Sequence, residues 1–544
     1  MWQHNYTPVA GSLPLSTLVA AVPIFVLLFM LGVVRRAAWI SSLAGLAGAI
    51  AVALFAYGMP VGLMASSILY GAVQGWFPIG WVVFTAILLY NVTVHTGKFE
   101  VIKNSIGNLT SDRRLQALLI AFAFGAFIEG AAGFGTPVAV AAAMLTGLGF
   151  SPFFAAGICL LANTAPVAFG SIATPINMLA TITKLPIADL SAGVGRICAP
   201  VSLFIPAYLV MVMGGWGALR SVIPAAAVCG VLFAGTQFVV SNYVGPELTD
   251  ILGSLASIIG LVILLKVWKP KDKFALPGDS PQPAPRHIPA GELLHAWSPY
   301  ALLVVFVLLW SYKPVQAQLA STQIRLMWPG LHNLIQQVAP VVANPTPYAA
   351  PYSFNWLGAS GTSCLFVSLL SALVLGMKPG DFFKVLISTA KQLVLAELTI
   401  GMVLGLAFLM NYSGSTATLG LAFAATGVTF PFFSALLGWL GVFLTGSDTS
   451  ANALFGNLQV VTARHLGMNP TLMASANSAG GVMGKMISLQ SVAVASAATS
   501  MDSGDESRLF RFTLKHSILL ACVIGLITVF YAYVAPGLAP GPAQ

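Results

Sequence analysis

The stretch Gly125-Ala126-Phe127-Ile128-Glu129-Gly130-Ala131-Ala132-Gly133-Phe134-Gly135-Thr136-Pro137 sets four glycines around one acid inside an otherwise apolar run. Glu129 is the only Asp, Glu, Lys or Arg between Arg114 and Lys184. Glycine weakens a helix, and a lone carboxylate in hydrocarbon is costly to keep. Together they read as a helix interrupted at membrane depth, the usual mark of a transport site. Thr445-Gly446-Ser447-Asp448-Thr449-Ser450-Ala451-Asn452 has the same character, and Asp448 is alone between Glu397 and Arg464.

Working outward, composition sets the solvent. Hydrophobic residues make up 58% of the chain and charged residues 7%, with a mean hydropathy of +0.89; a soluble domain carries about 25% charged residues. Apolar runs near the 20 or so residues that span a bilayer recur throughout, whereas the short alternating segments of a β-barrel are missing. The chain therefore reads as an all-α polytopic membrane protein. Its net charge of +9 falls in short loops between apolar runs, which fits the positive-inside rule and argues against a nucleic-acid partner. Residues 1–12 hold no Lys or Arg, while Arg35 and Arg36 follow the first run. The N-terminus is thus expected outside, and a cleaved signal peptide, which begins with positive charge, is not. The cysteines lie in apolar stretches without ligand spacing and read as free thiols. His465 and the other histidines form no metal-spaced cluster, so neither metal nor cofactor is expected. Trp76, Trp81, Trp297, Trp310 and Trp439 fall near span ends, as interfacial anchors do.

Spans are expected near 12–34, 38–58, 77–96, 151–182, 196–214, 220–241 and 248–266, forming a first membrane half over 1–266. Residues 267–293, Pro-rich and polar, read as a cytoplasmic linker. The second half, 294–544, has spans near 294–311, 354–376, 391–411, 469–500 and 514–535, with a long external segment before 354. These twelve crossings agree with every basic loop only if 115–147 and 430–465 are re-entrant hairpins whose tips hold Glu129 and Asp448. Both termini then fall outside.

An internal repeat pairs the hairpins. Gly125-Ala126-Phe127-Ile128-Glu129-Gly130 resembles Gly441-Val442-Phe443-Leu444-Thr445-Gly446, and Gly149, Pro152, Asn163-Thr164-Ala165 and Gly170 align with Gly467, Pro470, Asn477-Ser478-Ala479 and Gly484. Charge counting places the hairpins on opposite sides, so the repeats have inverted topology. Inverted repeats with broken helices, here 151–182 and 469–500, describe secondary transporters.

Gly125 to Pro137, Asn163 to Gly170 (NTAPVAFG), Gly438 to Asn452 (GWLGVFLTGSDTSAN), Gly480 to Ser488 (GGVMGKMIS) and Leu509 to His516 (LFRFTLKH) resemble the bacterial L-lactate permease family. The likeness extends to Trp2-Gln3-His4-Asn5-Tyr6 and Gly245-Pro246-Glu247-Leu248, hence over almost the whole chain. The resemblance implies proton-coupled import of lactate and related 2-hydroxymonocarboxylates such as glycolate across the bacterial inner membrane. It also implies the hairpin-containing ion transporter superfamily. Thr136 and Leu489 stand where the family pattern leads us to expect Ala and Pro, which leaves substrate preference open.

A small 2-hydroxy acid needs donors for its carboxylate and neutralisation of its charge. Helix N-termini following the breaks, at Gly135 and Thr136 and at Thr449 and Ser450, offer free backbone N–H groups. Asn163, Thr164, Asn477 and Ser478 occupy the other two breaks, where Pro166 and Gly480-Gly481 are expected to unwind the chain. Such polar residues often merely bond neighbouring backbone, and glycines often serve close helix packing. Glu129 and Asp448 are the candidate proton carriers, Glu129 first because its neighbours are apolar and those of Asp448 are polar. Lys485, the one charged residue between Arg464 and Asp502, is expected to pair with an acid or to bind the carboxylate. Tyr90, Asn411 and Tyr412 are second-rank candidates along the pathway, and Glu397 is another, expected to snorkel to the membrane surface. Two other functions compete: a sodium-coupled carboxylate carrier of the same architecture, and a membrane-embedded enzyme subunit. Against the enzyme, the chain has no HExxH, GxSxG, CxxC or P-loop pattern.

Overall fold

The computed structural model describes residues 1–541 apart from 35, 108, 134, 273, 275, 277–287, 343 and 502–504. Arg35, Phe134 and residues 273, 275 and 277–287 of the 267–293 linker therefore lie outside the described residues. Among the described residues, eleven helical runs are long and apolar enough to cross a bilayer, or twelve if the bent pair Pro152–Ala162 and Val167–Thr183 counts as one span. The polytopic helical class read from composition holds.

Several helices outrun the expected spans. Val61–His95 is one bent run of 35 residues, where hydropathy marked only 77–96; Phe77 leaves helical geometry at φ −141° and ψ 122° and makes the bend. Pro379–Ser413, also 35 residues long, replaces the expected 391–411. The polar first turns of this helix hid its start, and packing extends it. A Cβ at Gly71 would meet the Leu404 carbonyl and one at Gly75 the Ile400 carbonyl, so the two long helices lie antiparallel with backbones in close approach. Ile187–Arg220 likewise exceeds 196–214 and turns at Gly215, whose φ of +69° suits glycine. Ala290–Ser311 begins within the stretch assigned to the linker.

The segment after residue 311, expected to be a long external connection, carries the helix Lys313–Ala320 and short strands. Trp2–Gln3 pairs in parallel with Ile335 and Gln336, Thr346–Pro347 completes that sheet, and Ile324–Met327 pairs antiparallel with Pro351–Phe354. These strands are too short and irregular in pattern to be legible from period-two alternation. They cap one face of the molecule. The opposite face is basic: Arg36 and Arg511 border one cavity, Arg508 lies over Phe153, and Arg113 over Phe150.

Each acid-bearing stretch sits at the tip of a helical hairpin. Arg113–Ala131 rises for 19 residues, Thr136–Gly147 descends, and Arg113 Nη1 donates to the Leu148 carbonyl at 2.7 Å, joining the hairpin's ends. The second hairpin consists of Phe430–Thr445 and Asp448–His465; Gln459 donates to the Ser434 carbonyl at 3.1 Å across it. Helix Pro470–Lys485 locks onto this hairpin through glycines. A Cβ at Gly438 would lie 1.8 Å from the Asn477 carbonyl oxygen, one at Gly480 2.0 Å from that of Ala435, and one at Gly484 2.4 Å from that of Trp439. These glycines serve backbone-to-backbone packing, and the expected unwinding at Gly480-Gly481 does not occur. Pro470–Lys485 is continuous through Asn477 and Ser478, and the interruption comes at 486–488, before Leu489–Ala498.

Candidate functional site

Glu129 and Asp448, 319 positions apart in sequence, line one cavity of about 340 Å³. Its walls are the two hairpin tips, the break after Asn163, the Leu395–Ile400 stretch of the long helix and Lys485. The volume suits a small ligand.

Glu129 occupies the last full turn of Gly125–Ala131 and is 4% exposed. Asn163 Nδ2 donates to its Oε2 at 3.0 Å. Two glycines make room for the carboxyl group: a Cβ at Gly170 would lie 2.5 Å from Glu129 Oε1, and one at Gly133 3.4 Å from it. Gly133 and Gly135 then take left-handed φ values of +63° and +81°, which turn the chain into Thr136–Gly147. Opposite them Ser171, Ile172 and Ala173 also adopt positive φ, 46°, 53° and 59°. A β-branched residue in that region is strained, and strain of this kind gathers at functional sites. Ser171 Oγ donates to the Ala132 carbonyl at 2.5 Å, fastening the break to the hairpin tip.

Asp448 begins the helix Asp448–His465, capped by Ser447 Oγ accepting from the Ser450 N–H at 3.2 Å. Ser447, Asp448, Thr449 and Ser450 all border the cavity, so this helix turns its positive end toward it. Asp448 Oδ2 accepts from Ser478 Oγ at 2.5 Å and from Asn452 Nδ2 at 3.3 Å, and Gly481 clears space for Oδ1. Behind the acid the network continues: Asn477 Nδ2 donates to Asn452 Oδ1 at 2.9 Å, and Gln459 Nε2 to Asn477 Oδ1 at 3.0 Å. Lys485 Nζ donates to the Gly446 carbonyl at 2.8 Å, capping the C-terminus of Phe430–Thr445. No carboxylate lies within ion-pair distance of it among the described residues. The expected direct pair is thus a helix cap with longer-range attraction to both acids.

The sequence candidates divide. Glu129, Asp448, Thr449, Ser450 and Lys485 meet at the cavity. Asn163 reaches it through Glu129, and Ser478 through Asp448. Gly135 faces Val494 instead, and the Thr136 N–H is spent on the Gly133 carbonyl at 3.0 Å. Thr164 Oγ1 donates to the Leu161 carbonyl of the preceding helix Pro152–Ala162 at 2.7 Å, and Asn477 lies inside the polar network. Asn411 and Tyr412 border a separate cavity near the sheets, and Tyr90 a third beside Glu100 and Lys103. Glu397 does not snorkel: its carboxyl group presses on Gly80 and leaves Oε1 buried without a partner.

Sequence reasoning missed Ser171 and Thr174, which follow the Asn163 break and line the cavity. It also missed Asp250, in the first turn of Thr249–Val267. Asp250 is 1% exposed, neither carboxyl oxygen has a hydrogen-bond partner among the described residues, and its Cβ would lie 2.8 Å from a Cβ at Gly130. An electrostatic interaction couples it to Glu129. Its place two residues after the Gly245-Pro246-Glu247-Leu248 motif was the available signal; a position near a span end made it look superficial.

Residues 16–535 match the family model for L-lactate permease. The chain is 45% identical to the glycolate permease GlcA of Escherichia coli, covering 99% of both chains. It is 44% identical to the L-lactate permease of Escherichia coli over 99% of this chain and all of that one. The L-lactate permease of Bacillus subtilis is 45% identical, again over 99% of this chain and all of the relative. At this identity and coverage the chain belongs to the L-lactate permease family.

Proposed function

We propose that the protein imports L-lactate and related 2-hydroxymonocarboxylates, D-lactate and glycolate among them, in symport with protons across the inner membrane of a bacterium. The observation that carries this reading is the convergence of Glu129, Asp448 and Lys485 on one cavity in a member of this family. The substrate carboxylate takes the side of Lys485 and the N-terminus of Asp448–His465, where Thr449 and Ser450 supply donors. Asp448 accepts hydrogen bonds from Ser478 and Asn452 and faces Lys485 across the same cavity, so it positions that lysine and the second hairpin. Glu129 accepts one hydrogen bond and has the unpartnered Asp250 behind Gly130. Two neighbouring acids in a dry setting cannot both be charged cheaply, so the transported proton resides with this pair. One proton and one monocarboxylate make a neutral load.

The two halves act as inverted repeats whose hairpins enter from opposite sides, with the basic face cytoplasmic and the sheet-bearing face, including both termini, periplasmic. The test is uptake of labelled lactate into proteoliposomes with pH, sodium and voltage gradients imposed separately. An inward pH gradient alone drives accumulation. Voltage-driven accumulation at equal pH refutes one-to-one coupling, and an absolute sodium requirement refutes proton coupling.

A further inference from the structure

A second cavity, of about 600 Å³, opens beneath the sheets. Its walls are the end of the broken helix at Lys184, the end of the long helix at Asn411, the far end of the second hairpin at Asn457, Arg464 and His465, and the segment around Tyr348. Among the described residues no Asp or Glu lines it. Lys184 ends its helix in left-handed geometry, φ 59°, and its ammonium lies over the rings of Phe408 at 5.3 Å and Tyr70 at 5.8 Å. Among the described residues neither Lys184 nor Arg464 forms an ion pair. Asn457 donates to Asn411 Oδ1 at 3.0 Å, which leaves the Asn411 amide hydrogens for another acceptor.

Cations at helix C-termini ordinarily complement the dipole and stay in solvent. That does not account for a lysine seated on two aromatic rings, nor for cations from two separate helices facing one acid-free cavity. The positive-inside rule depletes this face of Lys and Arg, so cations gathered here oppose the general trend. Three helices border both this cavity and the one at Glu129: Ser171 and Thr174 precede Ile182 and Thr183, Leu395 to Ile400 precede Phe408 and Asn411, and Asp448 to Ser450 precede Asn457 and Arg464. Between the cavities Gly456 packs on Leu179 and Ile182, where an added Cβ would lie 2.8 and 3.1 Å from their side chains.

We propose that this cavity is a second carboxylate-binding site, in which Lys184 and Arg464 capture a small monocarboxylate anion at the outer mouth before it passes to the cavity of Glu129. The proposal rests on the carrier function above. A cleft lined by one sign of charge concentrates its counter-ion by about tenfold or more, in a manner that salt suppresses.

The test compares lactate transport from each face, in right-side-out and inverted membrane vesicles, for the unsubstituted protein, Lys184→Gln, Arg464→Gln and Lys184→Arg. For Lys184→Gln and Arg464→Gln the expected result is a KM raised about tenfold for substrate offered to the sheet-bearing face, with a much smaller change in kcat. From the opposite face KM stays as it was. Lys184→Arg restores most of the loss, and the rise of outer-face KM with ionic strength flattens in the neutral variants. An unchanged outer-face KM, or equal changes from both faces, overturns the second site. Absence of monocarboxylate transport by the unsubstituted protein overturns the carrier function instead. If Lys184→Gln does not reach the membrane, Arg464→Gln and the ionic-strength series decide.

Discussion

Replacing Glu129 by glutamine tests the coupling directly, because the site is built to accept the change. The glutamine carbonyl oxygen can take the 3.0 Å bond from Asn163 Nδ2. Its amide is no larger than the carboxyl group for which Gly170 leaves room. What is lost is the ability to release a proton. Each pH unit supplies about 1.36 kcal/mol per proton, or a tenfold gradient of a co-transported solute. With an inward gradient of about two units, a one-to-one symporter concentrates lactate about a hundredfold, and Glu129→Gln forfeits that drive of about 2.7 kcal/mol. Lactate-for-lactate exchange persists, because Lys485, Thr449 and Ser450 are untouched. The assay is labelled lactate in proteoliposomes at clamped zero voltage: net accumulation with a pH gradient, then counterflow without one. A variant that still concentrates lactate shows that Glu129 is not the proton carrier, and one that loses counterflow as well makes Glu129 part of the substrate site.

Three further outcomes follow from the geometry. Asp250→Asn removes the second acid from behind Glu129 and is expected to displace the pH profile of lactate uptake while sparing exchange; an unchanged profile would make Asp250 a structural residue. Asn477→Ala should leave Asn452 Oδ1 and one Gln459 amide hydrogen without their bonds, at about 1–3 kcal/mol for each buried group left unpaired, lowering the Tm of the purified protein and changing substrate affinity little. Gly480→Ala would place a Cβ 2.0 Å from the Ala435 carbonyl oxygen and should reduce the folded protein recovered from membranes, whereas Gly217→Ala, with nothing within 4 Å, should not.

What the sequence disclosed depended on the range of the interaction. Glu129 and Asp448 were legible because isolation in an apolar chain is a one-dimensional property, and so was the break at Gly133 and Gly135, though not its left-handed geometry. Gly480 and Gly481 misled, because a glycine that bends a helix and one that admits a neighbouring backbone look alike until the neighbour is known. Asn477 aligned with Asn163 by repeat, yet one bonds the proposed proton carrier and the other an interior network. The partner, not the residue type, sets the role. Asp250 and Lys184 were overlooked for a related reason: each stands near a span end, where a charge looks solvated, and only tertiary packing brings one against Gly130 and the other over Phe408. The long helices show the same limit, since hydropathy registers the apolar stretch and not the polar turns that packing adds.

The glycine contacts between Phe430–Thr445 and Pro470–Lys485 have a mechanical meaning. At Gly438, Gly480 and Gly484 one helix's carbonyl fills the notch left by the other's missing side chain. Such a joint resists sliding, because a shift would bring side chains to the notches that only a glycine leaves open to the facing carbonyl. The second hairpin, its partner helix and the Lys485 cap therefore form a single stiff plate carrying Asp448 on its edge. Leu395 to Ile400 of the long helix line the same cavity, and that helix is tied to the plate farther along by the Asn411–Asn457 hydrogen bond. On the proposed carrier function this plate would move as one piece, so a cross-link within it, between Phe430–Thr445 and Pro470–Lys485, is expected to leave transport unchanged.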